Sequence, residues 1–322
     1  MDGSPIGAST PRVVEWGLLL ELALSRLVRR RIDVGGHRIA YLDRRSFSSR
    51  ATDALPIVML HGLGGDKLNW VRYARHLTRR YRTVIPDLPG FGDSSRNPAL
   101  THSIDNQADW LAAFLDALGI QRAHVAGNSM GGHVATRFAV RHPERVATLI
   151  LHAPAGTAGA GPPYDRAGMR HGQHPLEVHS PEDFDTMMRW IFVRPPLLVG
   201  PVYRYFAARA VAERPFSEKV FRDIQDRERG NALIEPSLPG LAMPTLVIWG
   251  DTDRLLDCGQ AGIYERLMPD AKAVVLKRCG HLPMAERPRE TARLTRDFLA
   301  RVAEAARPVA GGAVPEGLIG GA

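Results

Sequence analysis

Apolar positions along this chain follow two rhythms, and the alternation between them predicts the fold. From Ile32 the period is two: Ile32 and Val34, a Gly35-Gly36 turn, then Ile39 and Tyr41, which reads as a β-hairpin. Ile57 to Leu60 is a short continuous apolar run, the form expected of a strand covered on both faces. Residues 68 to 80 read as a helix with Trp70 and Leu77 inward, and Thr83 to Ile85 as the next strand. An amphipathic helix follows over Ile104 to Leu118. Val125 and Ala126 form a buried strand, and a helix runs from Met130 to about His142, stopping before Pro143. Val146 to Leu151 is a further strand. After a long interruption the pattern returns with a strand at Thr245 to Trp249, a helix over 259 to 268, a strand at Ala273 to Leu276 and an amphipathic helix from Glu290 to Ala305. Strands and helices alternating at this spacing imply an α/β protein with a mostly parallel, doubly wound sheet, whose site lies at the carboxyl ends of the strands.

Three stretches depart from the alternation. Val13 to Val28 is leucine-rich and is followed by Arg29, Arg30 and Arg31, while Glu15, Glu21 and Arg26 interrupt it. It falls short of the ~20 apolar residues a spanning helix needs, and no basic region precedes it as in a cleavable signal peptide. Two readings stay open for residues 13–31: peripheral association with a membrane, or packing against the body or a second subunit. Between Ala155 and Leu241 the prolines multiply among short helical stretches, Phe184 to Val193 and Tyr203 to Ala212. This is expected to be a helical lid inserted into a core of 31–154 and 242–306. Met187, Met188, Trp190, Ile191, Phe192, Leu197, Leu198, Tyr203 and Phe206 either fill the lid or line an apolar acyl pocket. The glycine-rich segment 307–322 reads as a flexible tail, and residues 1–12 as unstructured.

Composition narrows the class. The chain has 322 residues, 44% of them hydrophobic, enough to bury one large α/β core. Its net charge of +8 would suit nucleic acid or anionic membranes, but the arginines are scattered and no nucleic-acid motif accompanies them. Cys258 and Cys279 cannot form a disulfide framework. The expected location is cytoplasmic or peripheral to a membrane.

The chemistry centres on Gly127-Asn128-Ser129-Met130-Gly131, where a strand breaks into a helix with Ser129 at the turn. This is the G-x-S-x-G elbow, in which the serine adopts a strained backbone and its neighbours two positions away must lack bulk. A serine hydroxyl is a poor nucleophile and needs a base, itself oriented by a third group. His281 follows the final strand and Asp253 the one before it, so both fall on the rim that carries Ser129. Asp251 and Asp257 compete for the acid role, with Asp253 favoured because it lies three residues past Gly250. Ser129 is thus the expected nucleophile, His281 the base then acid, and Asp253 the carboxylate that fixes the imidazole. The oxyanion hole needs two backbone donors: the N–H of Met130, and that of Leu63 in the glycine-rich loop His61-Gly62-Leu63-Gly64-Gly65. No cofactor is expected, and His171, His174 and His179 lack the spacing of a metal site.

These motifs, with Asp-Leu-Pro-Gly-Phe-Gly from Asp87, Trp-Gly-Asp-Thr-Asp from Trp249 and Gly-His-Leu-Pro-Met-Ala-Glu-Arg-Pro from Gly280, resemble the α/β-hydrolase superfamily over residues 31 to 305. Gly-Asp-Lys-Leu-Asn-Trp from Gly65 and Pro195-Pro196 resemble the bacterial lipases and esterases of the monoacylglycerol-lipase-like type. That resemblance implies hydrolysis of acylglycerols or medium-chain acyl esters. A serine nucleophile departs from the haloalkane dehalogenase and epoxide hydrolase branches, which place Asp there. The alternative is carbon–carbon bond hydrolysis of vinylogous diketones, whose enzymes share Gly-Asn-Ser-Met-Gly-Gly, although the loop at His61 lacks the glycine-proline-glycine pattern of that branch.

Overall fold

A computed structural model describes residues 10–44, 54–158, 175–196, 198, 200–226 and 233–306. The fold is that of an α/β hydrolase, an eight-stranded sheet in the order β1-β2-β4-β3-β5-β6-β7-β8. Its strands are β1 (Leu27–Val34), β2 (His37–Arg44), β3 (Ile57–Leu60), β4 (Thr83–Pro86), β5 (Ala123–Asn128), β6 (Val146–His152), β7 (Thr245–Gly250) and β8 (Ala271–Leu276). β1 pairs antiparallel with β2 and β2 with β4; every later pairing is parallel. Gly35 and Gly36, at φ 59° and 76°, make the hairpin turn in the left-handed region that only glycine occupies cheaply.

Helices cover both faces. α3 (Ile104–Ala117), α4 (Met130–Arg141) and α7 (Ala261–Leu267) bring Trp110, Phe114, Phe138 and Tyr264 to one layer; α2 (Val71–Ala74), α8 (Pro283–Glu286) and α9 (Pro288–Ala305) bring Tyr73, Met284 and Phe298 to the other. β3 shows why its sequence is apolar throughout: Val58 and Leu60 point into the first layer, Ile57 and Met59 into the second. All four are fully buried. The segment between β6 and β7 carries α5 (Pro181–Ile191) and α6 (Gly200–Gln225).

Four local readings differ from the sequence pattern. Arg29, Arg30 and Arg31 lie within β1, which begins at Leu27; exposed charges suit an edge strand because they discourage pairing with another chain. The stretch read as a helix over 68–80 is helical only as α2, with a single turn of 3-10 helix before it. Beyond Ala74 its bonds mix spacings of three and four residues, as in Leu77 N–H to Ala74 and Tyr81 N–H to Leu77. α6 continues past Ala212, through Pro215, although an interior proline costs ~3 kcal/mol. The burial of Val220 and the contacts of Phe216 with Gly90 and His102, all beyond the proline, offset that cost. The N-terminal helix α1 (Arg12–Ser25) inverts the usual arrangement: Val14, Leu22 and Ser25 face the body while its outward face is also apolar. The proposed tail 307–322 and the first nine residues lie outside the described residues. No helix among the described residues is long and apolar enough to cross a membrane.

Candidate active site

Ser129 sits between β5 and α4 with φ 54° and ψ −121°, a conformation sparsely populated by any residue with a side chain. The surroundings over-determine it. Its N–H donates to the His152 carbonyl at 3.1 Å, and its carbonyl accepts from Gly132, His133 and Ala155. A Cβ on Gly127 would stand 2.2 Å from the Gly131 oxygen, and one on Gly131 would stand 2.4 Å from the oxygens of Leu60 and His61. The two glycines are therefore fixed by close backbone approach, which lets the turn press α4 against β5 and β3.

The Asp253–His281 pair is well built. His281 Nδ1 lies 2.7 Å from Asp253 Oδ2, in side chains 5% and 0% exposed. The same carboxylate oxygen accepts from Trp249 Nε1 at 2.9 Å, and Oδ1 accepts the N–H groups of Leu255 and Leu256 at 2.8 and 3.0 Å. Four donors thus occupy both oxygens and leave the side chain one orientation. With Nδ1 bound to Asp253, Nε2 is the nitrogen available to a proton donor. Asp251 instead accepts from Thr252 and from Arg278 N–H, and Asp257 accepts from Gly259 N–H. Neither competitor bonds His281.

Asn128 links this pair to the elbow. Its side-chain amide donates to the carbonyls of His152 at 2.9 Å and His281 at 3.1 Å, so the His281 loop is fastened to the residue next to Ser129. Glu286 completes the fastening from the other side, accepting from Gly280 N–H at 2.9 Å and Arg194 N–H at 3.0 Å. The N–H of His281 itself donates to the Ile191 carbonyl at the end of α5, at 2.7 Å. Asn128 and Glu286 lie within motifs of the sequence, but their role was not legible there because they act by bonding backbone groups.

The loop after β3 approaches from the opposite side: a Cβ on Gly62 would lie 3.0 Å from Ser129 Cβ. The N–H groups of Leu63 and Met130 have no acceptor among the described residues. His61, fully buried, spans the loop: Nδ1 meets the Gly62 carbonyl at 2.8 Å and Nε2 accepts Leu88 N–H at 2.9 Å. Burial holds its pKa below the ordinary histidine range, so it stays neutral.

Beyond the loop lies a buried ionic network. Lys67 Nζ stands 2.5 Å from Asp87 Oδ2 and 2.7 Å from Asp93 Oδ2, and its own N–H donates to Asp87 Oδ1. Burial opposes the ammonium charge, and the two carboxylates overcome it and raise the Lys67 pKa. Next to it Asp66 caps Leu68 N–H at 2.8 Å and meets Arg209 of α6 at 3.0 Å. Arg209 also pairs with Glu213, which in turn meets Arg96. α6 is in this way bonded to the residue that follows Gly65.

Of the apolar residues between β6 and β7, Met187, Met188, Leu198, Tyr203 and Phe206 pack around Val178, Phe184 and Ala207 in a cluster of their own. Ile191 and Phe192 lie against the His281 loop, their backbone within 3.1 Å of where a Gly280 Cβ would be. Leu197 lies outside the described residues, as do His171 and His174; His179 Nδ1 contacts Arg214. Among the described residues no group of His, Cys, Asp and Glu is arranged to hold a metal ion.

Comparison with known proteins identifies the family. Residues 56–288 match the alpha/beta hydrolase fold family. Lipase 1 of Psychrobacter immobilis is 34% identical over 239 residues, 74% of each chain. A 2-hydroxy-6-oxononadienedioate/2-hydroxy-6-oxononatrienedioate hydrolase of a Pseudomonas species is 33% identical over 253 residues, 76% of this chain and 88% of that one. The crystal structure of a membrane phospholipase A, described as a bacterial virulence factor, superposes with a TM-score of 0.84 at 38% identity, covering 91% of this chain and 92% of the other. Of these three, the two higher in identity are named for ester hydrolysis. The chain belongs to the α/β-hydrolase family, among its carboxylic ester hydrolases.

Proposed function

We propose that Ser129, His281 and Asp253 act as a catalytic triad that cleaves acylglycerols or medium-chain acyl esters through an acyl-enzyme. The observation that carries this reading is the buried His281–Asp253 bond of 2.7 Å, tied by Asn128 to the residue beside a strained serine. In the first half-reaction His281 Nε2 takes the Ser129 proton as Oγ attacks the ester carbonyl, then gives it to the leaving alcohol. Water, deprotonated by the same nitrogen, releases the acid. Asp253 holds the imidazole in the tautomer with Nδ1 protonated and offsets the charge of the imidazolium. The oxyanion of each tetrahedral intermediate is received by the N–H groups of Leu63 and Met130, each worth about 3 kcal/mol, or roughly 100-fold in rate. α4 adds the positive end of its dipole at the same point.

Residues 155–241 serve as the lid in this reading, with Ile191 and Phe192 on the side facing His281. Residues 13–31 are the segment for peripheral membrane association. Lipid-named relatives support an acyl substrate, and the arrangement needs neither cofactor nor metal. The Pseudomonas relative keeps one second reading in view, carbon–carbon bond hydrolysis of a vinylogous diketone. Both readings are tested by one comparison: chromogenic esters of graded chain length against a ring-cleavage product. Medium-chain esters should be turned over at least 100-fold faster, with a burst of alcohol release that vanishes in Ser129→Ala; the opposite preference transfers the triad to the second reaction.

A further inference from the structure

On a surface helix of a globular protein the polar stripe faces water. α1 departs from this, being apolar on both faces. Its inward stripe is Val14, Leu22 and Ser25, with Ser25 Oγ donating to the Val71 carbonyl at 3.2 Å. Its outward stripe follows helical spacing through Val13, Trp16, Leu20 and Leu24, which are 54%, 71%, 60% and 45% exposed. Leu19 is 45% exposed beside them, and the acidic residues Glu15 and Glu21 stand on the flanks of the stripe, not within it. Four large apolar residues in successive turns, led by a tryptophan, form a patch of the kind that marks an interaction site.

Charge identifies the occupant. Beside α1 opens a cavity of about 530 Å³, lined by Arg72, Arg75, Arg287 and Arg289 against only Glu21 and Glu290. Glu21 is paired with Arg72 at 3.2 Å and Glu290 with Arg287 at 3.9 Å, which leaves Arg75 and Arg289 exposed and without an acidic partner among the described residues. The cavity also receives the N-terminal end of α9, 18 residues long, where the helix dipole adds positive potential. His76 in its wall registers that field: burial and then Arg289, Arg296 and Arg75 depress its pKa. Four residues past the end of the helix, Arg29, Arg30 and Arg31 add three exposed cations on β1. A second copy of this chain would bring the same positive surface against itself, and the whole chain carries +8. An apolar stripe bordered by unpaired arginines is complementary to a bilayer whose headgroups carry phosphate and a net negative charge.

We propose that the outward face of α1 and the arginine-lined cavity beside it form a docking surface for bilayers rich in anionic phospholipid, with Trp16 and Leu20 in the acyl–headgroup boundary and Arg75 and Arg289 on headgroup phosphates. This deepens the reading of residues 13–31 above. It has a consequence for catalysis: α1 also contacts α6, so docking holds the lid at the lipid surface.

The test is co-sedimentation of the full chain with vesicles of phosphatidylcholine alone and of phosphatidylcholine with phosphatidylglycerol. Three proteins are compared: wild type, Arg75→Gln/Arg289→Gln, and Trp16→Ser/Leu20→Ser. Wild type should prefer the anionic vesicles. The arginine variant should lose roughly 30-fold of its affinity for them, the equivalent of about 1 kcal/mol for each of two arginines, while keeping its weaker binding to neutral ones. The Trp16/Leu20 variant should lose both. Inorganic phosphate should compete only at concentrations where ionic strength alone does. Retention of the anionic preference by the arginine variant overturns the cavity's role, and stronger inhibition by phosphate than by equal ionic strength assigns the cavity to a soluble anion instead. Vesicle binding by the Trp16/Leu20 variant equal to wild type overturns the docking surface, as does a lipid-free wild-type dimer that this variant renders monomeric. All three proteins should hydrolyse a water-soluble ester at the same kcat/KM, so loss of the hydrolase reading is seen separately from loss of docking.

Discussion

Arg209→Met cuts the bond between α6 and the loop that carries Leu63. The wild-type guanidinium lies 3.0 Å from Asp66 and 2.9 Å from Glu213, in side chains only 10%, 14% and 13% exposed. Burial works against its charge, and Asp66 and Glu213 prevail and raise its pKa further. Removing one member of a buried ion pair costs ~3–5 kcal/mol, because the remaining charge is stranded. Here Glu213 keeps Arg96 at 2.9 Å and Asp66 keeps its cap on Leu68, so the lower end, about 3 kcal/mol, is expected. In thermal unfolding that corresponds to a fall in Tm of roughly 5 °C or more. The functional effect is separate. Asp66 follows Gly65 directly, and a displacement of the Leu63 N–H by a fraction of an ångström should lower kcat roughly 10- to 100-fold on a short soluble ester, with KM nearly unchanged. Asp66→Asn should do the same, and the double variant should be no worse than the stronger single one. Additive losses, or a fall in Tm with kcat untouched, would refute the idea that the lid positions the oxyanion loop.

Three further expectations follow from the same geometry. Asp253→Asn presents an amide to donors that need acceptors, frees the wrong imidazole tautomer, and should reduce kcat roughly 10⁴-fold near neutral pH while binding of substrate survives; a loss under tenfold would return Asp251 or Asp257 to contention. Gly127→Ala must move the first turn of α4 to relieve a 2.2 Å approach, so kcat/KM should fall at least about 100-fold, and wild-type activity would contradict the close packing. Burial holds His124 at a pKa of about 4 and His152 at about 3, so both are neutral in the folded chain. Their folded values lie below the ordinary 6.5, so the unfolded chain binds more protons below that pH. Their stabilisation is complete above pH 6.5 and is lost as the pH falls toward 4, by up to ~1.4 kcal/mol per pH unit for each. Denaturant midpoints measured at pH 7.5 and 5 test this, and a flat profile would contradict it.

What the sequence discloses here depends on how local the cause is. The elbow, the hairpin and β3 were legible because each is dictated by neighbours within a few residues: glycines two positions from Ser129, paired glycines at 35 and 36, four apolar residues in a row. Proline misled at position 215, since burial of Val220 and the contacts of Phe216, set by distant partners, outweigh a local penalty. Arg29 to Arg31 gave no strand signal, because an edge strand tolerates charge on both faces and so need not alternate. The network of Asp66, Lys67, Asp87, Asp93, Arg96, Arg209 and Glu213 was not legible as a network: Asp66, Lys67 and Asp87 stand in motifs, but nothing local pairs them with each other or with α6, because the network joins three separate stretches of chain. The outward face of α1 was equally hidden. A leucine-rich helix reveals from sequence that it has apolar faces, but which of them meets the body is decided by Val71 and its neighbours.

The central claim is that Ser129 is the nucleophile armed by His281, and covalent labelling reads it directly. Wild-type protein treated with a fluorophosphonate and followed by intact mass and peptide mapping should take up one equivalent on the peptide containing Ser129. His281→Gln should label at least 100-fold more slowly and Ser129→Ala not at all, with ester turnover lost in parallel. Labelling at a different residue, or Ser129→Ala turning over esters at the wild-type rate, would contradict the account.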